Sequence, residues 1–395
     1  MDILIISEFG EDFSHSDNDR FLYLAKMLEN DNNVEIITSS FRHTKKNHRR
    51  KTVESWPFRI TFIEEPGYPK NICLKRFYSH FMWGKNLICY LNNRKKKPDV
   101  IYCAVPSLTG PFRVSRYCKK YNIRFVIDVQ DLWPEAFQMV FNVPIVSDFI
   151  FFPFKLIANE IYKSADSICA VSETYKRRAL SVNSRCEMGY SVFLGTSLKT
   201  FDDNSIRYSY KKNNNELWLA YCGTLGASYD ITCVIDALEI IKKYNVIQPK
   251  FIVMGDGPRK DEFEKYAKAK KINALFVGRL PYDKMCSLLC NCDIVVNPIS
   301  SGAAQSIINK HADYAASGLP VLNTQECNEY RKLINKYKMG FNCKNNDSKD
   351  LAKKLIKLIQ NESLRKTMGN NSRKCAEEKF DREKTYKVLV NQIIS

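Results

Sequence analysis

No stretch of this 395-residue chain stays apolar for the roughly 18 residues that a membrane-spanning helix requires. The best candidate, IVSDFIFFPFKLIA at 145–158, is interrupted by Asp148, Pro153 and Lys155. The opening MDILIISEFGEDF has no basic region ahead of its apolar residues, so a secretory signal is not expected. No CxxC pair occurs among the 14 cysteines. Many of them lie inside apolar runs (Cys103, Cys169, Cys222), and the one cluster, Cys286, Cys290 and Cys292, falls on a helix and the strand entrance after it. They read as buried free thiols of a reducing cytosol, because free cysteine behaves as a small hydrophobe. The five histidines His15, His43, His48, His80 and His311 have no metal-ligand spacing, so no metal site is expected. No GxGxxG motif and no short internal repeat is visible.

What is there is the composition of a folded protein, 45% hydrophobic and 12% aromatic, in a length that suits two domains rather than one core. The net charge of +18 is unevenly laid out. Residues 1–41 carry two basic and nine acidic residues, whereas 42–97 carry fifteen basic and three acidic. So concentrated a basic block faces an anion (nucleic acid, an acidic membrane or a phosphorylated ligand) or is simply a solvated face.

Short β-rich runs alternate with amphipathic helical runs throughout. Strands are expected at 2–9, 33–40, 59–66, 99–105, 124–130, 167–173 and 190–195, then at 216–223, 250–257, 274–280, 293–299, 320–325 and 340–345. Helices fall between most of them, as at 231–245. Such alternation predicts parallel sheets covered by helices on both faces. The polar tract DDNSIRYSYKKNNN (202–215) reads as a linker, with domains at 1–200 and 201–378 and a terminal helix, 379–395, packing back towards the first. Two doubly wound domains place their ligand crevices at the carboxyl ends of their strands and would face one another across a cleft.

In the second half, GTLGASYD (223–230), MGDGP (254–258) and VGRL (277–280) each leave a strand through a glycine. Such turns present N–H groups to anions, and three together would ring one crevice, with Arg279 and Lys310 available for phosphate. The stretch GAAQSIINKHADYAASGLP (302–320) is aimed at the same crevice. N–H groups near Ser306 and Ile307, with Lys310, would form a diphosphate cradle, and Asp313 would pair with Lys310 or accept hydrogen bonds from sugar hydroxyls. In the first half, FVIDVQDLWPEAF (125–137) puts Asp128, Asp131 and Glu135 beside Trp133 just past a strand end. Carboxylates next to an indole suit a carbohydrate, the alternative being that Asp131 caps a helix and Trp133 fills the core.

DVQDLWPEAF, ADSICAVSETYKRRAL (165–180), FLGTSLKTFD (193–202), YCGTLG, MGDGP, VGRLPYDKM and INKHADYAASGLPVLNT resemble, in order and spacing, family 4 GT-B glycosyltransferases, most closely the bacterial group that builds capsule or O-antigen polysaccharide. The resemblance implies an α/β GT-B fold of two Rossmann-like, doubly wound parallel-sheet domains. It also implies retaining transfer from a nucleotide sugar of UDP type, with no cofactor and no essential metal. The donor would lie against the C-terminal domain at Gly223, Thr224, Gly226, Gly255, Gly257, Arg279, Leu280, Ser306, Ile307, Lys310 and Asp313. The acceptor would lie against the N-terminal domain at Asp17, Arg20, Asp128, Asp131, Trp133 and Glu135. Catalytic work would fall to Asp131, Lys310, Arg279 and Gln305.

The family's E-x7-E motif reads here as Q-x7-D, from Gln305 to Asp313. The lysine many members carry after the first glycine turn is replaced by ASYD, and the usual N-terminal glycine pair by SHSDNDR (14–20). The segment 72–92 interleaves Phe77, Phe81, Met82, Trp83, Leu87 and Ile88 with Lys75, Arg76 and Lys85. Such a helix suits an anionic membrane surface, and equally a domain core. The expected partners are therefore a nucleotide sugar, a polyprenyl-diphosphate-linked saccharide and the inner face of the cytoplasmic membrane. Two competing readings are an epimerase or hydrolase on the same fold, and a basic nucleic-acid-binding protein, for which no RRM, KH or helix-turn-helix signature is present.

Overall fold

In the computed structural model the described residues are 1–10, 13, 19–49, 56–138, 146–303 and 306–395. The chain forms two compact units: Met1–Phe193 together with Thr385–Ser395, and Leu194–Lys384.

The first unit is built on seven strands, β1 (Asp2–Ser7), β2 (Asn33–Ser39), β3 (Arg59–Ile63), β4 (Val100–Val105), β5 (Arg124–Val129), β6 (Ser167–Ala170) and β7 (Tyr190–Ser191), in the order β3-β2-β1-β4-β5-β6-β7. Every pairing in this sheet is parallel. Parallel strands covered on both faces need side chains that tolerate burial on either side. DILIIS and VIYCAV meet that condition, and every residue of both is buried. Helices α1 (Arg20–Leu28), α2 (Leu74–Asn93), α3 (Thr109–Tyr121), α4 (Glu135–Gln138), α5 (Val146–Ser164) and α6 (Glu173–Leu180) lie between the strands. The terminal helix Lys387–Ile394 adds Leu389 and Ile393 to the core of this same unit, beside Tyr386, Phe21, Leu24 and Tyr102.

In the second unit β8 (Trp218–Cys222), β9 (Lys250–Met254), β10 (Ala274–Gly278), β11 (Ile294–Asn297), β12 (Val321–Asn323) and β13 (Gly340–Asn342) pair in parallel in the order β10-β9-β8-β11-β12-β13. Its helices are α7 (Leu198–Ser205), α8 (Ile231–Ile241), α9 (Lys260–Ala269), α10 (Tyr282–Cys290), α11 (Lys310–Ala316), α12 (Asn328–Tyr337), α13 (Ser348–Gln360) and α14 (Glu362–Cys375). Asp230 caps α8, as its position predicts, by accepting from the Cys233 N–H at 3.0 Å. In both sheets the strand order reverses beside the first strand, between β1 and β4 and between β8 and β11. Those are the topological switch points at which such sheets open a crevice.

Two sequence expectations are corrected. The proposed linker at 202–215 begins inside α7, and the division between units falls earlier, at Phe193/Leu194. The polar DDNS does not read as helix, yet Ser197 caps it, Phe201 is buried and Arg373 clamps the Asp202 carboxylate at 2.6 and 2.8 Å. The helix in 302–320 begins at Lys310 and is only seven residues long, so the N–H groups near Ser306 and Ile307 expected in the cradle lie ahead of it.

Candidate functional site

The glycine turns of the second unit do something other than hold out free N–H groups. Gly223 N–H donates to Met254 O (2.9 Å), Leu225 N–H to Asp256 O (2.9 Å), Gly255 N–H to Gly278 O (2.8 Å), and Gly257 N–H to its neighbour's Asp256 Oδ1 (2.8 Å). Four donors around the expected anion cradle are thus spent, three on holding the turns to one another and one within its own turn. The glycines are there for contact: a Cβ on Gly255 would overlap the Gly223 carbonyl, and one on Gly257 would overlap the backbone of Leu225. Gly255 and Gly223 also have φ of +152° and +147°, a region that side chains rarely adopt.

Gly223 has a second role. The space its side chain would fill holds the ammonium of Lys310. Lys310 reaches across the switch point from the start of α11, with Nζ 3.9 Å from the Tyr229 ring centroid and 4.4 Å from that of Tyr221, and donates to Tyr221 Oη at 3.3 Å. No carboxylate pairs with it among the described residues, so the expected Lys310–Asp313 pair is not formed. Burial lowers its pKa to about 7. An ammonium lined by two aromatic faces and one phenol has attraction but no counter-charge, and an anion would supply one.

Asp313 faces another partner. Its Oδ1 accepts from Tyr282 Oη at 2.9 Å, and Tyr282 Oη also meets Thr196 Oγ1 at 2.9 Å. Burial raises the Asp313 pKa to about 6 against the lowering effect of the tyrosine hydroxyl. His311, between the two, is fully buried, stacked on Tyr330 (3.5 Å, 4°) and accepts from the Ile308 N–H through Nδ1. Ile307 is buried, and Ser306 is held by its carbonyl, which accepts from Gln325 Nε2 at 2.8 Å. Arg279 is exposed directly after β10, with Leu280 half-buried behind it, and Thr224 is exposed beside the open Gly226. Gln305 and Asp17 lie outside the described residues.

In the first unit the structure redistributes the expected acceptor residues. Asp128 is completely buried, and its two oxygens accept from Arg20 Nε (2.8 Å) and Nη2 (3.0 Å). Arg20 continues to Tyr386 Oη (3.0 Å) and the Phe193 carbonyl (3.2 Å). This pair is an internal tie, not the wall of a crevice. Glu135 is taken by Arg178 at 2.6 Å. Asp131 caps no helix; its carboxylate gathers the Leu132 N–H (2.9 Å), Trp133 Nε1–H (3.3 Å) and Tyr175 hydroxyl (3.4 Å), and burial raises its pKa.

A group that sequence reasoning passed over sits at the switch point itself. Glu8 follows β1, Glu65 follows β3, Ser107 follows β4 and Trp133 follows β5, while Arg76 and His80 come down from one face of α2. Ser107 donates to Glu8, and Ser39 and Ser79 donate to Glu65. Arg76 lies 4.7 Å from the Trp133 ring centroid and 5.6 Å from that of Tyr68, and His80 stacks on Trp133 at 5.9 Å. Glu8 Oε1 and His80 Nε2 are 3.5 Å apart, and both atoms, with Arg76 Nε, are buried without a hydrogen-bond partner among the described residues. Burial, then the charge of Glu65, pushes the Glu8 carboxyl well up, and burial beside Arg76 lowers His80 to about 3. The sequence signal was there: glutamates just beyond the carboxyl ends of two parallel strands.

Among the described residues no three His, Cys, Asp or Glu side chains group closely enough to hold a metal ion, and no helix is long and apolar enough to cross a membrane.

Residues 202–375 match the family model "Glycosyl transferases group 1". The chain resembles the family 4 GT-B glycosyltransferases. It is 26% identical over 323 residues to the capsular polysaccharide biosynthesis glycosyltransferase CapM of Staphylococcus aureus, covering 78% of this chain and 80% of that one. Among solved structures, Anabaena Alr3699/HepE in complex with UDP superposes with a TM-score of 0.74 at 15% identity over 99% of both chains. A putative UDP-N-acetylglucosamine 2-epimerase from Listeria monocytogenes reaches 0.61 at 13% identity, covering 99% of this chain and 95% of that one. The match to the group 1 glycosyltransferase model lies within the second unit, and the fold of the whole chain is GT-B.

Proposed function

We propose that the chain transfers a hexose or N-acetylhexosamine, with retention and without a metal, from a UDP-type nucleotide sugar to a polyprenyl-diphosphate-linked saccharide at the inner face of the cytoplasmic membrane, in surface polysaccharide synthesis. The observation that carries the donor side is the Lys310 amine, half-buried and without a counter-charge among the described residues at the switch point of the second sheet. A departing nucleoside diphosphate gathers negative charge as the glycosidic bond stretches. A preplaced cation in a dry site stabilises that charge more than it stabilises the ground state. Arg279, exposed two strands away, adds a second cation, and Asp313 offers an oxygen to ribose hydroxyls beside Tyr282. The complexes of Anabaena HepE with UDP and with UDP-glucose support a uridine donor.

On the acceptor side, Glu8, Arg76 and His80 join Asp131 and Trp133. Glu8 Oε1, Arg76 Nε and His80 Nε2, unpaired among the described residues and beside aromatic faces, are what sugar hydroxyls and ring faces require. The test is to incubate the purified chain with a panel of nucleotide sugars and a lipid-linked acceptor, and to identify the consumed donor by mass spectrometry. Consumption only when the acceptor is present is expected. Turnover of donor alone would overturn the transferase reading in favour of the epimerase or hydrolase.

A further inference from the structure

The first unit carries an apolar face that its own core does not use. On α2, Trp83 and Leu87 turn inward and are buried, so the aromatic-basic helix read from 72–92 is divided between two jobs. Leu74, Phe77, Tyr78 and Phe81, spaced i, i+3, i+4 and i+7, form one stripe on its other side, and Leu74 is 87% exposed. On α5, Phe149, Phe152 and Leu156 repeat that spacing, with Ile150 beside them, and Phe149 is 84% exposed. This is the 145–158 stretch that is too short and too interrupted to span a bilayer. The two helices touch where the half-buried Phe154, outside the α5 stripe, packs its ring on that of Phe77 at 5.6 Å. Eight large side chains, about half exposed, present on the order of 800 Å² if each offers roughly 150–250 Å². The largest apolar patch on an ordinary monomer is about 300–600 Å².

The charge around the face selects its occupant. Between residues 66 and 127 the sequence has thirteen lysines and arginines and a single acidic residue, Asp99. Neither α2 nor α3 contains an acid, and α3 sets the Arg113 guanidinium over Phe81 at 4.9 Å. Lys155 stands within the α5 stripe. α5 balances Lys155 and Lys163 with Asp148 and Glu160, so the excess of cations lies on α2 and α3. Apolar side chains beside such cations match the interface of an anionic bilayer, where rings enter the acyl boundary and cations meet lipid phosphates.

We propose that the exposed stripes of α2 and α5 form one membrane-docking face, in which Phe149 and Phe152 insert into an anionic lipid surface. The proposal deepens the reading of a membrane-carried acceptor and rests on it for its biological sense, but the binding itself requires neither donor nor acceptor.

The experiment is flotation of the full chain with vesicles of phosphatidylcholine containing 30% phosphatidylglycerol, on the order of what an anionic inner leaflet presents, compared with phosphatidylcholine alone. Binding to the anionic vesicles is expected to weaken as salt rises, and to fall at least tenfold in the double variant Phe149→Ser/Phe152→Ser. Because both residues are exposed, that variant should keep its melting temperature and its transfer to a water-soluble acceptor analogue. Equal vesicle binding by variant and parent, or no binding by the parent, would overturn the proposal. So would a parent dimer that the double variant splits, since the face would then be covered by a second copy. Loss of transfer with vesicle binding intact would strike the transferase reading instead and leave the face standing.

Discussion

At the scale of single residues, Lys310 makes the sharpest claim. Its folded pKa of about 7 lies below that of a free lysine, so between pH 7 and about 10.5 the unfolded chain holds a proton that the folded one lacks. Stability from this group therefore rises with pH across that window. Asp313 acts below it: with a folded pKa of about 6, the folded chain keeps a proton between about pH 4 and 6 that the unfolded chain has released, and stability falls as pH rises. Thermal melts should show a trough near pH 6–7, with Lys310→Met flattening the upper limb and Asp313→Asn the lower. A bound diphosphate must raise the lysine's pKa, so UDP binding at pH 8 should take up close to one proton. Calorimetry in buffers of different ionisation enthalpy reads that number, and an uptake of zero would remove Lys310 from the diphosphate site. Gly223→Ala, whose Cβ would occupy the ammonium's place, should weaken UDP binding about tenfold, roughly 1.4 kcal/mol. The buried Arg20–Asp128 pair predicts the opposite kind of effect. Asp128→Asn should cost the first unit about 3 kcal/mol in denaturant melts, by stranding a buried guanidinium, with no change in UDP affinity.

At the scale of elements, strands were the legible part, because burial on both faces forces a continuous apolar run such as LIIS or IVVN that periodicity detects without knowledge of the partner strand. The linker was not legible, since α7 is stabilised by Asp202–Arg373, a contact 171 residues apart. The donor side was half legible: Lys310 and Gly223 were singled out, but the reason they belong together, one occupying the other's missing side chain, exists only in three dimensions. Glu8 and Glu65 escaped notice, and Arg76 and His80 were read only for a helix face and for metal spacing, because no local spacing connects the four. The glycine turns were misread for a related reason. Their N–H groups are consumed by turn-to-turn bonds that no single turn reveals. Gly255→Ala tests that packing role: the new Cβ would meet the Gly223 carbonyl at a φ of +152°, and the second unit should lose roughly 3 kcal/mol or more by chemical denaturation. A stability within about 0.5 kcal/mol of the parent would mean that the turn relaxes freely and does not hold Gly223 in place.

At the scale of the whole molecule, the chain passes from the first unit to the second at Phe193/Leu194 and returns at Lys384/Thr385. Its last eleven residues therefore complete a core begun at residue 2. Tyr386, Leu389 and Ile393 are wholly buried among Ile3, Tyr102 and Val126, Tyr386 Oη accepts from Arg20, and Arg124 donates to the Ile393 carbonyl at 3.1 Å. Removing Thr385–Ser395 takes out three large core side chains, at about 2–5 kcal/mol each, and leaves Arg20 short of an acceptor. Their sum is comparable with the roughly 5–15 kcal/mol that holds an ordinary domain together. Hydrogen exchange on the truncated chain should show protection lost from β1, β4 and β5 while β8 and β11 stay protected, because the core of Leu194–Lys384 draws none of its residues from the deleted segment. Equal loss in both sheets would show that the two units fold as one cooperative body. Unchanged protection in β1 would show that the terminal helix is dispensable to the core it fills.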